Sequence, residues 1–142
     1  MMKTIISTFA LALFLTSAAS AGAHEIKIGQ LVITHPWIKQ TEGQTAAFGC
    51  MKITNRGSTD ERLIGVIVGP HTAAQLVEIT NKGESPAGAI VIPAGQTVHI
   101  HPSSAHIAMI NVPSPFVEGS EVSGSLIFEK AGVVEIDYEV GD

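Results

Sequence analysis

From residue 25 onward, apolar and polar side chains alternate in short runs, and glycine, proline and asparagine break the runs. Glu25-Ile26-Lys27-Ile28, Gln30-Leu31-Val32-Ile33 and Ala47-Phe48-Gly49-Cys50-Met51-Lys52-Ile53-Thr54 carry the two-residue period of a half-buried strand, and the last stops at the turn cluster Asn55-Arg56-Gly57-Ser58. Arg62 to Val68 is a nearly continuous apolar run closed by Gly69-Pro70. Ala73 to Thr80 is a further strand, with Thr72 to Leu76 open to a single helical turn. Ala89 to Ile92, Thr97 to His101, His106 to Val112, Glu121 to Glu129 and Val133 to Val140 complete the set. Ile92-Pro93-Ala94-Gly95-Gln96 has the fixed and permissive φ values of a tight turn, and Val112-Pro113-Ser114-Pro115 excludes a central strand. Strands of this length at this spacing predict an all-β antiparallel sandwich or barrel, with the C-terminal third a run of antiparallel neighbours. Lys82 to Gly88 reads as the mobile loop, and no helix of ordinary length is expected.

The first residues follow another pattern. Lys3 precedes the apolar run Ile5 to Leu15, which is shorter than the roughly 20 residues needed to span a bilayer. Small residues follow, and two A-x-A cleavage sites are possible: Ala19-Ser20-Ala21 before Gly22, or Ala21-Gly22-Ala23 before His24. The second is favoured. Residues 1–23 are therefore read as a signal peptide, and residues 24–142 as one domain exported to the periplasm with no stable membrane insertion after cleavage.

Composition narrows the function. The 142 residues hold 8 Lys+Arg against 13 Asp+Glu, a formal charge of −5, so no cationic field draws the chain to nucleic acid or anionic lipid. One cysteine, Cys50, excludes an internal disulfide, and its place in an apolar strand predicts a buried, inert thiol. No nucleophile elbow, zinc-protease helix, phosphate loop or acid pair is present, so an enzyme is not expected. Six histidines are the one sign of chemistry in so lightly charged a chain.

Thr34-His35-Pro36-Trp37, Met51-Lys52-Ile53-Thr54-Asn55-Arg56-Gly57, Asp60-Glu61-Arg62-Leu63, Ile92-Pro93-Ala94-Gly95, Ser104-Ala105-His106 and Phe128-Glu129-Lys130-Ala131-Gly132 occur in an order that resembles the PCu(A)C family of periplasmic copper chaperones. The resemblance spans nearly the whole chain after residue 23. It implies a cupredoxin-like β-sandwich, copper as cargo, and a copper-accepting oxidase or other periplasmic protein as partner. It also implies a soft ligand set, two His-x-Met pairs with a further Met between them, suited to exchangeable Cu(I). Val77 and Ile79 fall where the first pair belongs, the intervening Met is absent, and His106-Ile107-Ala108 keeps only the His of the second pair.

Met109 does not fill the gap, because strand alternation turns it away from His106 and Ala108. Two replacement sets are open. His99 and His101 share a strand face, and the loop Pro102 to Ala105 could return His106 toward them, a set for Cu(II) or Zn(II) rather than Cu(I). Alternatively His24, as a new N-terminus, offers its amine and imidazole as a histidine brace, which also leaves room for an exported copper oxidase. His35 reads as framework and His71 as an exposed loop residue. The expected metal ligands are thus His106, His24, His99 and His101, for copper as Cu(I) or Cu(II). The competing expectation is a paralogue that kept the fold, lost the metal and acts as a protein-interaction module.

Overall fold

The computed structural model describes residues 25–40, 46–70, 72–110, 112 and 114–141; His24 and His71 lie outside them. Eleven strands form one curled antiparallel sheet, a half-barrel: β1 Glu25–Ile28, β2 Leu31–Gln40, β3 Ala47–Asn55, β4 Glu61–Val68, β5 Ala73–Thr80, β6 Gly83–Pro86, β7 Ile90–Ile92, β8 Thr97–Ile100, β9 His106–Ile110, β10 Glu121–Phe128 and β11 Gly132–Val140. The order across the sheet is β6-β5-β9-β3-β2-β11-β10-β4-β7, with β1 on β2 and β8 on β3. Among the described residues, only the β11–β2 contact is parallel, through Glu139–Trp37 and Val140–Ile38. The all-β, cupredoxin-like expectation holds, and Thr72 to Leu76 is extended rather than helical.

The alternation read in the sequence selects the core. Ile33, Ile38, Ile53, Leu63, Ile92, Ile107, Met109, Leu126 and Tyr138 are wholly shielded inside the curl. Their removal from water is the main favourable contribution to folding in a chain without a disulfide. Met109 takes its place in this core, on the side of β9 away from His106. Gly124 is required by close packing, because a Cβ there would stand 2.4 Å from the Ile67 carbonyl oxygen and 3.0 Å from the Tyr138 ring.

Polar side chains fasten the turns at one end. Asn55 Nδ2 donates to the carbonyls of Thr59 and Ile92, and its Oδ1 accepts from the Gly57 N–H. Asp60 Oδ1 accepts from the Ala94 N–H in the turn before β8. Glu61, also buried, accepts from the N–H groups of Arg62, Lys130 and Ala131, fixing the β10–β11 turn to the start of β4. The motifs around Asn55, Asp60–Glu61, Ala94 and Lys130–Ala131 that contributed to the family resemblance are therefore a hydrogen-bonded framework that contains no histidine.

Three expectations change. Lys82 to Gly88 is not simply a loop: Gly83–Pro86 forms β6 and closes a hairpin on β5, because Thr80 Oγ1 bonds to both ends of the turn. The C-terminal strands are not all neighbours, since β9 inserts between β3 and β5 while β10 and β11 pair with each other. Finally, β2 does not stop at Ile33. A bulge places one extra residue between the pairs Thr34–Lys52 and Trp37–Cys50, with His35 at φ 51°, and the strand continues with inward and outward positions exchanged.

Candidate metal centre

His106 opens β9 and is fully buried, on the face opposite Ile107 and Met109. Phe48 on β3 covers it edge-on, with ring centroids 5.5 Å apart. Its Nδ1 lies 2.8 Å from the Ser104 carbonyl oxygen. A carbonyl only accepts, so Nδ1 carries a proton, and it is Nε2 whose lone pair is available to an ion when the ring is neutral. That Nε2 is shielded from solvent and has no hydrogen-bond partner. The nearest acid is Glu84 on β6, its Oε1 4.0 Å from Nε2 and its side chain 64% exposed. A backbone-anchored N–H opposite a free lone pair is how metal-ligating histidines are held.

His99 and His101 occupy a separate place. His99 lies opposite Lys52 in the β3–β8 pairing, and both histidines line an open cleft of about 470 Å³ with His35, Trp37, Lys52 and Ser104. The β2 bulge is what turns His35 and Trp37 toward this cleft. His101 Nδ1 accepts from the Ser103 N–H at 3.2 Å and meets Ser103 Oγ at 2.9 Å, an arrangement that leaves its proton on Nε2. The loop after β8 does turn back, through the Ser104 N–H to the His101 carbonyl and the His101 N–H to the Ala105 carbonyl. It nevertheless delivers His106 into its own enclosure rather than into the cleft. Among the described residues, no three His, Cys, Asp or Glu side chains converge as a metal cage. His99, His101 and His106 are thus not brought to one point.

The comparisons with known proteins agree on this architecture. The family model described as "Putative lipoprotein LpqE-like" matches residues 31–140. The chain belongs to the LpqE-like family. A curated relative, "Putative lipoprotein Lxx21020" of Leifsonia xyli subsp. xyli, is 30% identical over 117 residues, covering 78% of this chain and 69% of its own. Among solved structures, the copper-bound PCuAC domain from PmoF2 matches at TM-score 0.71 and 30% identity over 82% of this chain and 97% of that domain. CuI-DR1885 from Deinococcus radiodurans shares the fold at TM-score 0.66 and 18% identity, over 87% of this chain and 84% of its own.

In this LpqE-like chain the register makes the comparison of ligand positions concrete. Val77 on β5 is directly opposite His106, and Gln75 is opposite Ala108. Val77, His106 and Ala108 therefore share one sheet face, with Ile79 one same-face step farther along β5. These are the positions to which the sequence resemblance assigns ligands, and they are contiguous in space. Sequence reasoning missed Glu84. It stands opposite Ile79 in the β5–β6 hairpin, so its approach to His106 is set by strand pairing and has no signature in spacing.

Cys50, on the same strand as Phe48, is buried, and its thiol is 3.9 Å from the Phe48 carbonyl. Burial pushes it from 9.0 up to about 11, with Lys39 opposing in part. Burial likewise raises the Tyr138 hydroxyl, helped by the neighbouring Cys50 charge. Both groups hold their protons more tightly folded than unfolded, so the Cys50 contribution is intact below pH 9 and declines as the pH rises from 9 toward 11, while that of Tyr138 is intact below pH 10 and declines above it. Urea unfolding is expected to show this alkaline loss, and Cys50→Ala is expected to reduce its slope between pH 9 and 10.5. An unchanged slope in the variant would contradict the burial assignment.

Proposed function

We propose that this LpqE-like protein is exported after cleavage behind Ala23, binds copper as cargo, and hands it to a copper-accepting envelope protein such as an oxidase. The fold is shared with copper chaperone domains, one of them solved with copper bound and 30% identical. The relative's designation as a lipoprotein supports a place in the cell envelope. A lipid carried on a cysteine thiol has no exposed attachment point among the described residues, since Cys50 is buried.

The observation that carries the reading is the imidazole of His106, anchored at Nδ1 with an unpartnered lone pair at Nε2. Leaving a polar atom buried and unpaired costs about 1–3 kcal/mol, and a bound ion would offset that cost. His106 is the principal ligand in this reading. His99 and His101 offer a second imidazole pair for Cu(II) in their own cleft, and His24, as the new N-terminus, offers an amine and imidazole. Val77, Ile79 and Ala108 supply no donor, so copper is held by an altered set. Those three apolar side chains also favour the competing reading, an interaction module without metal.

Titration of the mature protein with Cu(I) and Cu(II) against a competing chelator separates the two. One ion is expected to bind in stoichiometric amount, and His106→Ala is expected to weaken it by about 100-fold. If neither ion binds more tightly than the competitor, the interaction-module reading replaces the copper one.

A further inference from the structure

His106 alone does not make a site, and the chemistry of its neighbours decides which ion it takes. Three features define the surroundings of Nε2. Phe48 closes one side with a ring that donates nothing. Val77, directly across the β5–β9 pairing, is apolar and buried. Among the described residues, the acidic side chain within 4.0 Å of Nε2 is Glu84, through its Oε1.

That separation is informative. It is too long for a hydrogen bond. At a tetrahedral or square-planar ion, an imidazole nitrogen and a carboxylate oxygen each about 2.0–2.2 Å from the metal stand about 2.9–3.4 Å apart, somewhat closer than here. The Glu84 side chain is 64% exposed, so a change of its torsions closes that gap around an ion without moving either strand. The β5–β6 hairpin fixes Glu84 there, through the register pairs Ile79–Glu84 and Val77–Pro86. Because the Glu84 side chain is largely exposed while Nε2 is enclosed, the carboxylate lies on the solvent side of the imidazole.

We propose that Glu84 is the second protein ligand, completing with His106 a nitrogen–oxygen clamp that takes a divalent ion, Cu(II) or Zn(II), in preference to Cu(I). This rests on the copper reading of His106. A carboxylate is a hard, charged ligand, where a thioether would be soft and neutral, and the exchange moves selectivity from the monovalent to the divalent ion. With two protein ligands, the remaining coordination positions fall to water or to side chains of an acceptor protein. An ion held this way is open to transfer.

The test compares wild type, Glu84→Gln, Glu84→Met and His106→Ala by chelator competition with Cu(II), Zn(II) and Cu(I), each variant checked for its β-sheet circular dichroism. Glu84→Gln is expected to weaken Cu(II) and Zn(II) by about 10–100-fold while changing Cu(I) by less than about 3-fold. Glu84→Met is expected to shift preference toward Cu(I). The Cu(II) form should show one nitrogen coupling in its electron paramagnetic resonance spectrum, lost in His106→Ala. If His106→Ala abolishes binding but Glu84→Gln leaves Cu(II) within 3-fold of wild type, the clamp is wrong and the His106 site stands. If His106→Ala binds as wild type does, the site itself is elsewhere.

Discussion

Glu61→Ala is expected to lower the free energy of unfolding by about 3–5 kcal/mol, and the melting temperature by about 10 °C or more. The reason lies in what the carboxylate holds. Its Oε1 accepts from the N–H groups of Arg62 and Lys130, both at 2.9 Å, and its Oε2 accepts from Ala131 at 3.0 Å. Glu61 is 6% exposed, so removing it leaves these donors without a partner in a place water reaches poorly. Hydrogen bonds to a charged acceptor contribute about 1.5–3 kcal/mol each, and the turn they fix joins β10 to β11. Glu61→Gln retains one acceptor oxygen and is expected to fall between wild type and alanine. The adjacent Arg62–Glu129 pair provides the contrast: it is 3.2 Å apart with both side chains about half exposed, so Glu129→Ala should change stability by less than about 1 kcal/mol. Urea denaturation with a constant m-value measures all three. A Glu61→Ala loss below about 1 kcal/mol would show that the carboxylate cage is not what closes the sheet.

How far such features could be read in the sequence depended on how local their causes are. Asn55 and Gly95 were legible as turn residues because Asx-type bonding and a left-handed φ act within a few residues, as in the Asn55 bond to the Gly57 N–H. The central strands were legible because a half-buried strand repeats every second residue. The same rule failed at His35 and Pro36, where one extra residue reverses the alternation, so that Ile33 and Ile38 both point inward at odd separation. It failed again at Gly83–Pro86, a strand with no apolar alternation that exists through its backbone pairing with β5. The candidate site shows the same division. Alternation placed His99 and His101 on one face and Met109 on the other face from His106. It could not bring Glu84 beside His106, nor keep His106 out of the His99 cleft, because β9 is seated by long-range pairing with β3 and β5.

That long-range pairing also allows the site to be rebuilt. Combining Val77→His, Ile79→Met and Ala108→Met is expected to raise Cu(I) affinity by about 100-fold or more, each of two added soft ligands contributing a factor of about ten, or 1.4 kcal/mol. Val77 faces His106 across the pairing, so an imidazole there meets the existing one on a shared face. Ile79 is 48% exposed, and a flexible thioether replaces it without disturbing the core. Ala108 is half-buried opposite Phe48, and Met fits there only if that ring yields. The buried Val77 position carries the main penalty, about 1–3 kcal/mol for a polar ring until an ion is bound, so the triple variant should be less stable apo and gain stability with Cu(I). Glu84 remains opposite Ile79, so Cu(II) affinity should change far less than Cu(I) affinity. Competition with a chromophoric Cu(I) chelator reads the gain, and adding His106→Ala to the triple variant should remove it. A triple variant that binds Cu(I) no more tightly than wild type would mean that these strand positions, though contiguous, do not aim their side chains at one ion. A gain that survives loss of His106 would move the centre of the site onto β5.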